Sequence, residues 1–168
     1  LGGAKNHAIV LPDADVDFAA DHLSAAAFGS AGERCMAISA AVAVGSGADR
    51  VVEAVSERAR AVKVGSGRDV ASEMGPVVTR EAQQRILGLI DSGEKQGATI
   101  AVDGRDFVVP GFEDGFFVGP TVIDQVTTEM DATYGKTKAC DVAGTCRDLS
   151  ELEDVMAKSR KPAALLAA

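Results

Sequence analysis

Residues 1–44 read LGGAKNHAIVLPDADVDFAADHLSAAAFGSAGERCMAISAAVAV, and this stretch decides the fold. Residues 7–11 form a short β-rich run closed by Pro12, and Asp13 or Asp15 can cap the helix that follows. The helix is marked by Val16, Ala19, Leu23 and Ala26, apolar positions that recur at three and four residues. Gly29 and Gly32 end it and free the backbone around Cys35. Residues 38–44 then read as a buried strand, turned by Gly45-Ser46-Gly47.

The same alternation continues outward. Val51, Val55, Ala59 and Val62 mark a second, amphipathic helix with Glu53, Glu57, Arg58 and Arg60 on its wet side. A Gly/Ser loop over 65–67 follows, and Ala82, Ile86, Leu89 and Ile90 mark a third helix, stopped by Gly93 and Gly97. Short strands are expected at 99–102, 107–109 and 121–124. Strands alternating with helices predict an α/β domain with a mainly parallel sheet flanked by helices.

Composition bounds the partners. The chain has 168 residues, enough for one domain with a core, and 46% of them are hydrophobic. A net charge of −8 argues against nucleic acid or an anionic membrane surface as partner. No run approaches the 18 or so apolar residues of a membrane span, and no basic-then-apolar leader opens the sequence. The first residue is not Met and the sequence enters in the middle of a motif, which reads as a fragment. Three cysteines, Cys35, Cys140 and Cys146, are too few for a disulfide framework and point to a reducing, cytoplasmic setting. The Cys140-x5-Cys146 spacing does not match a zinc site, so no metal is expected.

Cys35 is the candidate for chemistry. It stands in Gly29-Ser30-Ala31-Gly32-Glu33-Arg34-Cys35-Met36, where small residues leave the thiol open and Arg34 places a cation beside it, favouring the thiolate. The plainer reading is a small hydrophobe at a helix–strand junction. Against that stand Leu1-Gly2-Gly3-Ala4-Lys5-Asn6-His7 and Pro12-Asp13-Ala14-Asp15 upstream. In order and spacing these motifs resemble the aldehyde dehydrogenase superfamily. Within it they look like the methylmalonate-semialdehyde dehydrogenases, with G-A-K-N-H, then P-D-A-D, then G-x-R-C-M-A. The resemblance runs from Leu1 to about Tyr134 and takes in Met74-Gly75-Pro76-Val77-Val78-Thr79, Asp91-Ser92-Gly93 and Phe117-Val118-Gly119-Pro120-Thr121. Residues 1–134 are read as a segment of that catalytic domain. Residues 135–168 are read as a divergent tail with a helix at 149–160, because Gly135-Lys136-Thr137-Lys138-Ala139-Cys140-Asp141 stands where the family has E-x-F-G-P.

The resemblance implies NAD as hydride acceptor and coenzyme A as co-substrate. The semialdehyde of methylmalonate or malonate would be oxidised to propionyl-CoA or acetyl-CoA in valine or inositol breakdown, by a homo-oligomer. Cys35 would be the nucleophile, its own N–H one oxyanion donor, and Arg34 the grip on the substrate carboxylate. For Arg34 the alternative is a loop arginine satisfied by Glu33 or another carboxylate. Phe28 is a candidate for the substrate channel or for the core. Leu1 and Gly2 are the cofactor-side candidates. Leu1 occupies the place of the Glu in E-L-G-G-K that activates water in hydrolytic relatives, and a leucine cannot take a proton. Lys5 and Asn6 are expected to shape the turn beneath the site, whereas His7 and His22 are poor proton carriers in their settings. Two other readings remain open: a hydrolytic aldehyde dehydrogenase, and a non-catalytic remnant lacking the cofactor domain. The isolated chain is expected to be inactive.

Overall fold

The computed structural model describes residues 6–126 and the strand Ala163–Leu166. Strand β1 (Asn6–Val10) ends at Leu11-Pro12, where a proline cannot donate to a ladder. Helix α1 (Val16–Phe28) is capped by Asp15, whose Oδ1 accepts from the Phe18 N–H at 3.1 Å. Such a cap contributes about 1 kcal/mol. The helix buries Ala20, Leu23, Ser24, Ala27 and Phe28, while Val16, Ala19 and Ala26 are only half-buried. The buried face is therefore rotated from the predicted one. In a helix this rich in alanine, one methyl group at most positions gives little directional signal, and packing chooses the face.

Strand β2 (Ile38–Ala43) lies parallel to β1, pairing His7 with Ala40 and Val10 with Ala43. With α1 between them these strands form a βαβ unit. Helix α2 (Ala48–Ala61) presents Val51, Val55 and Ala59 to the core, as its spacing predicts. It is tied to α1 by Arg58, which reaches Asp21 at 2.8 Å and Asp17 at 3.0 Å. Helix α3 (Arg80–Lys95) is capped by Thr79, whose hydroxyl accepts from the Ala82 N–H, and buries Ala82, Ile86 and Ile90. It leads into β3 (Thr99–Val102), and β4 (Thr121–Asp124) follows.

The α/β class holds, with a mixed sheet. Among the described residues five strands run in the order β1-β2-β5-β4-β3, where β5 is Ala163–Leu166. Of these pairings only β1–β2 is parallel; β2–β5, β5–β4 and β4–β3 are antiparallel, so the expectation of a mainly parallel sheet is corrected. The reason is local. No helix intervenes between β3 and β4, so the chain returns without a crossover and the strands lie antiparallel. The expected strand at 107–109 is also absent. β3 and β4 already pair with each other, and 107–109 forms an irregular excursion between them.

That excursion is fastened at two points. Arg105 reaches Asp103, Glu94 and Asp91 at 2.6–2.8 Å. Gly104 and Gly119 cross so closely that a Cβ on Gly104 would collide with the Gly119 carbonyl oxygen. β5 falls in the stretch read from sequence as a tail, and it joins β2 to β4. The helix expected at 149–160 lies outside the described residues.

Candidate active site

Three successive left-handed residues follow α1: Ser30 (φ 53°, ψ 40°), Ala31 (φ 52°, ψ 31°) and Gly32 (φ 74°). Only the glycine adopts this region without cost; the other two cost about 1–2 kcal/mol each. The reversal turns the chain from the end of α1 toward β2 within a few residues. The Glu33 N–H donates to the Ser30 carbonyl at 3.0 Å, and the Ala37 N–H donates to the Arg34 carbonyl at 3.1 Å. Cys35 and Met36 are thus the two central residues of a turn. Cys35 carries a free, exposed thiol, and Met36 is 78% exposed beside it.

Both neighbours of the thiol are accounted for. Glu33 does not pair with Arg34; its Oε1 accepts from the Val78 N–H at 3.3 Å, which ties the turn to the segment capping α3. That segment is itself anchored, because the Val77 N–H bonds the Phe116 carbonyl and Gln83 bonds the Phe117 carbonyl. Arg34 donates through Nε to Ser30 Oγ at 3.3 Å, and its guanidinium lies over Gly29 so tightly that a Cβ there would sit 2.7 Å from Cζ. Among the described residues no carboxylate lies within ion-pair distance of Arg34. The reading of Arg34 as a loop cation satisfied by Glu33 is not what the geometry shows.

The turn is also held from the β1 side. Asn6 donates through Nδ2 to the carbonyls of Cys35 at 3.1 Å and Ala37 at 2.9 Å. This gives physical form to the expectation that Asn6 shapes the turn beneath the thiol. Phe28 is 2% exposed in the hydrophobic core. Of its two readings, burial supports the core one and gives it no open face toward a channel. His22 lies against Phe18, with ring centroids 4.2 Å apart, and His7 lies within β1. Leu1, Gly2, Lys5, Cys140 and Cys146 lie outside the described residues. Nothing in the sequence signalled the Glu33–Val78 tether or the left-handed Ser30-Ala31 pair. The partner of the first is 45 residues away, and neither Ser nor Ala favours left-handed backbone.

A groove of about 340 Å³ is lined by Val10, Pro12, Asp13, Asp15, Arg50 and Val51 among others. It sits at the C-terminal ends of β1 and β2, whereas Cys35 precedes β2. The six residues of β2 separate them by about 20 Å, so these carboxylates do not serve the thiol. Among the described residues no group of three or more His, Cys, Asp or Glu could hold a metal ion, and no helix is long and apolar enough to cross a membrane.

Comparisons with known proteins agree on one family. The family model described as the aldehyde dehydrogenase family matches residues 1–135. The malonate-semialdehyde dehydrogenase of Pseudomonas aeruginosa is 52% identical over 131 residues, covering 77% of this chain and 26% of that protein. The mitochondrial, acylating methylmalonate-semialdehyde dehydrogenase of Arabidopsis thaliana is 49% identical over 132 residues, covering 77% and 21%. Among solved structures, the methylmalonate-semialdehyde dehydrogenase of Oceanimonas doudoroffii superposes with a TM-score of 0.73 at 56% identity, covering 76% of this chain and 26% of that one. A betaine aldehyde dehydrogenase of Staphylococcus aureus in complex with NAD+ does so with a TM-score of 0.72 at 36% identity, covering 76% and 25%. The chain spans about a quarter of the length of these relatives.

Proposed function

Because the chain belongs to the aldehyde dehydrogenase family, we propose that it is the nucleophile-bearing segment of an NAD-dependent, coenzyme A-acylating dehydrogenase of methylmalonate or malonate semialdehyde. The observation that carries this reading is the turn at 34–37. It places an exposed thiol at its apex, with an arginine beside it that has no carboxylate partner among the described residues.

In this reading the Cys35 thiolate adds through Sγ to the aldehyde carbon, and the carbonyl oxygen becomes an alkoxide. Among the described residues no acceptor takes the Cys35 N–H, so it is available to donate to that alkoxide. The Arg34 Nη groups, left over after Nε engages Ser30, take the substrate carboxylate. After oxidation the acyl group sits on Cys35 as a thioester. Leu1 has no ionisable group with which to activate water, so the coenzyme A thiolate adds to the thioester carbonyl and expels Cys35 as its thiolate. For methylmalonate semialdehyde the bond from Cα to the carboxylate also breaks, releasing CO2 while Cα takes a proton, and the products balance as propionyl-CoA, CO2 and NADH.

NAD is the hydride acceptor this reading requires, and the described residues do not suit its pyrophosphate. Each helix N-terminus carries an acid in its first turn, Asp17 in α1, Asp49 in α2 and Glu81 in α3, which opposes a bound phosphate. The dinucleotide would have to be held by other parts of the enzyme.

The test is an NADH-absorbance assay on a full-length dehydrogenase carrying this segment. Turnover should rise with coenzyme A concentration, with only a slow hydrolytic leak in its absence. Cys35→Ser should abolish activity, whereas Cys140→Ser and Cys146→Ser should leave most of it. Substantial activity in Cys35→Ser would remove the nucleophile. Turnover without coenzyme A at the saturated rate would place the enzyme with the hydrolytic relatives.

A further inference from the structure

We infer that Asn6 is a positioning residue for the Cys35 thiol, holding the nucleophile's turn to β1 through both hydrogens of its side-chain amide; this rests on the assignment of Cys35 as nucleophile. Asn6 stands 29 residues before Cys35, and its Nδ2 reaches the Cys35 carbonyl at 3.1 Å and the Ala37 carbonyl at 2.9 Å. Both neighbours are acceptors, so only the NH2 end of the amide can face them.

The two carbonyls lie on either side of Met36, across the turn that the Ala37 N–H closes onto Arg34. A bonded Cys35 carbonyl resists rotation about the Cα–C bond of Cys35. The direction in which Sγ leaves the backbone is thereby fixed relative to the sheet. Glu33 supplies the opposite stay through Val78, so the turn is held from two sides.

A second observation points to the same residue. The β1–β2 register slips at this place: Asn6 pairs with Ile38, but His7 pairs with Ala40. Ser39 is the extra residue, and its hydroxyl donates to the Asn6 carbonyl at 3.4 Å. Bulges of this kind re-aim a side chain beside functional sites. Here the bulge lies between the thiol turn and the regular ladder, next to the asparagine that bonds the turn.

Asparagine is chemically specific for this task. An aspartate in its place would match its shape but turn a carboxylate toward two carbonyl oxygens, and a serine offers a single, shorter donor. The test therefore compares Asn6→Asp, Asn6→Ser and Asn6→Ala. In the 168-residue chain, exchange of the Ala37 amide should accelerate at least tenfold in Asn6→Asp and Asn6→Ala, with the amides of α2 and α3 unchanged. In a full-length dehydrogenase carrying this segment, kcat per mole of folded enzyme, isolated by size-exclusion chromatography and checked by thermal melt, should fall at least tenfold in Asn6→Asp, with KM within twofold, and Asn6→Ser should lie between. Unchanged Ala37 exchange in Asn6→Asp would overturn the tether, and faster exchange with unchanged kcat would overturn the positioning role. If the unsubstituted enzyme oxidises no semialdehyde, the functional reading falls, and the exchange measurement still decides the tether.

Discussion

Replacing Arg34 by alanine separates two jobs that one side chain could be doing. Its structural share is small. The guanidinium is exposed and, among the described residues, makes one hydrogen bond, at 3.3 Å to Ser30 Oγ, near the long end of the useful range. An exposed bond of that length contributes about 0.5 kcal/mol, and on a domain of this size that lowers Tm by about 1–2 °C. The functional share is larger if the Nη groups take the substrate carboxylate. Where the bound substrate and the rest of the full-length enzyme exclude water from that pair, truncating one partner costs about 2–4 kcal/mol, which in kcat/KM is a loss of about 30- to 900-fold.

The two shares differ in what they depend on. The structural loss follows the protein whatever the substrate. The carboxylate loss vanishes for propanal, which offers the same aldehyde and no anion. The assay is therefore kcat/KM for methylmalonate semialdehyde and for propanal, on parent and Arg34→Ala forms of a full-length dehydrogenase carrying this segment, with Tm measured alongside. The expected result is a selective loss on the semialdehyde and a Tm within a few degrees. Equal losses on both aldehydes would refute the carboxylate grip and leave Arg34 as a support of the left-handed Ser30-Ala31 turn. Arg34→Lys keeps the charge but loses the planar fork, and it should recover only part of the semialdehyde rate.

Three further outcomes concern the frame that carries the site. Arg105→Ala should destabilise the chain by about 1–2 kcal/mol near pH 7, because three partly exposed carboxylates lose their common cation. The Arg105 guanidinium holds the Asp103 carboxyl below its ordinary range, so this stabilisation is present above about pH 4. It is lost as pH falls through the depressed folded value. Urea melts of parent and variant should converge toward pH 2, and a constant difference would show that the pairing is not its origin. Gly104→Ala should cost at least about 2 kcal/mol, since the new methyl meets the Gly119 backbone rather than a side chain that can move. Gly88→Ala in α3, with nothing within 4 Å, should gain about 0.5–1 kcal/mol in the same melts. A neutral Gly104→Ala would mean that the backbones at 104 and 119 do not cross in contact.

The prominence of the thiol turn owes little to secondary structure. Between α1 and β2 the chain makes only a few hydrogen bonds of its own. It is fixed by contacts to Asn6 on one side and to Val78 on the other, 29 and 45 residues from their partners. Those two anchors come from β1 and from the lead into α3, elements whose own positions are set by the core. Packing far from Cys35 therefore bears on where its sulfur points.

What the sequence determined by itself was whatever depends on neighbours along the chain. The spacing of Val51, Val55 and Ala59 or of Ala82, Ile86 and Ile90 gives a helix its buried face. Pro12 ends a strand, Asp15 and Thr79 start helices, and Cys35 stands out among small residues whatever the fold. Tertiary structure decided the rest, because those choices are between alternatives that local chemistry leaves nearly equal. The alanines of α1 could have faced the core on either side, and contact with α2 and the sheet selected Ala20, Leu23 and Ala27. The pairing of β3 with β4 and the entry of Ala163–Leu166 between β2 and β4 made the sheet mixed, since strand direction follows from how the chain returns and not from side-chain alternation. The hold of Asn6 on the Cys35 turn exists only once β1 and β2 lie side by side, because a hydrogen bond across 29 residues has no signature in either segment alone.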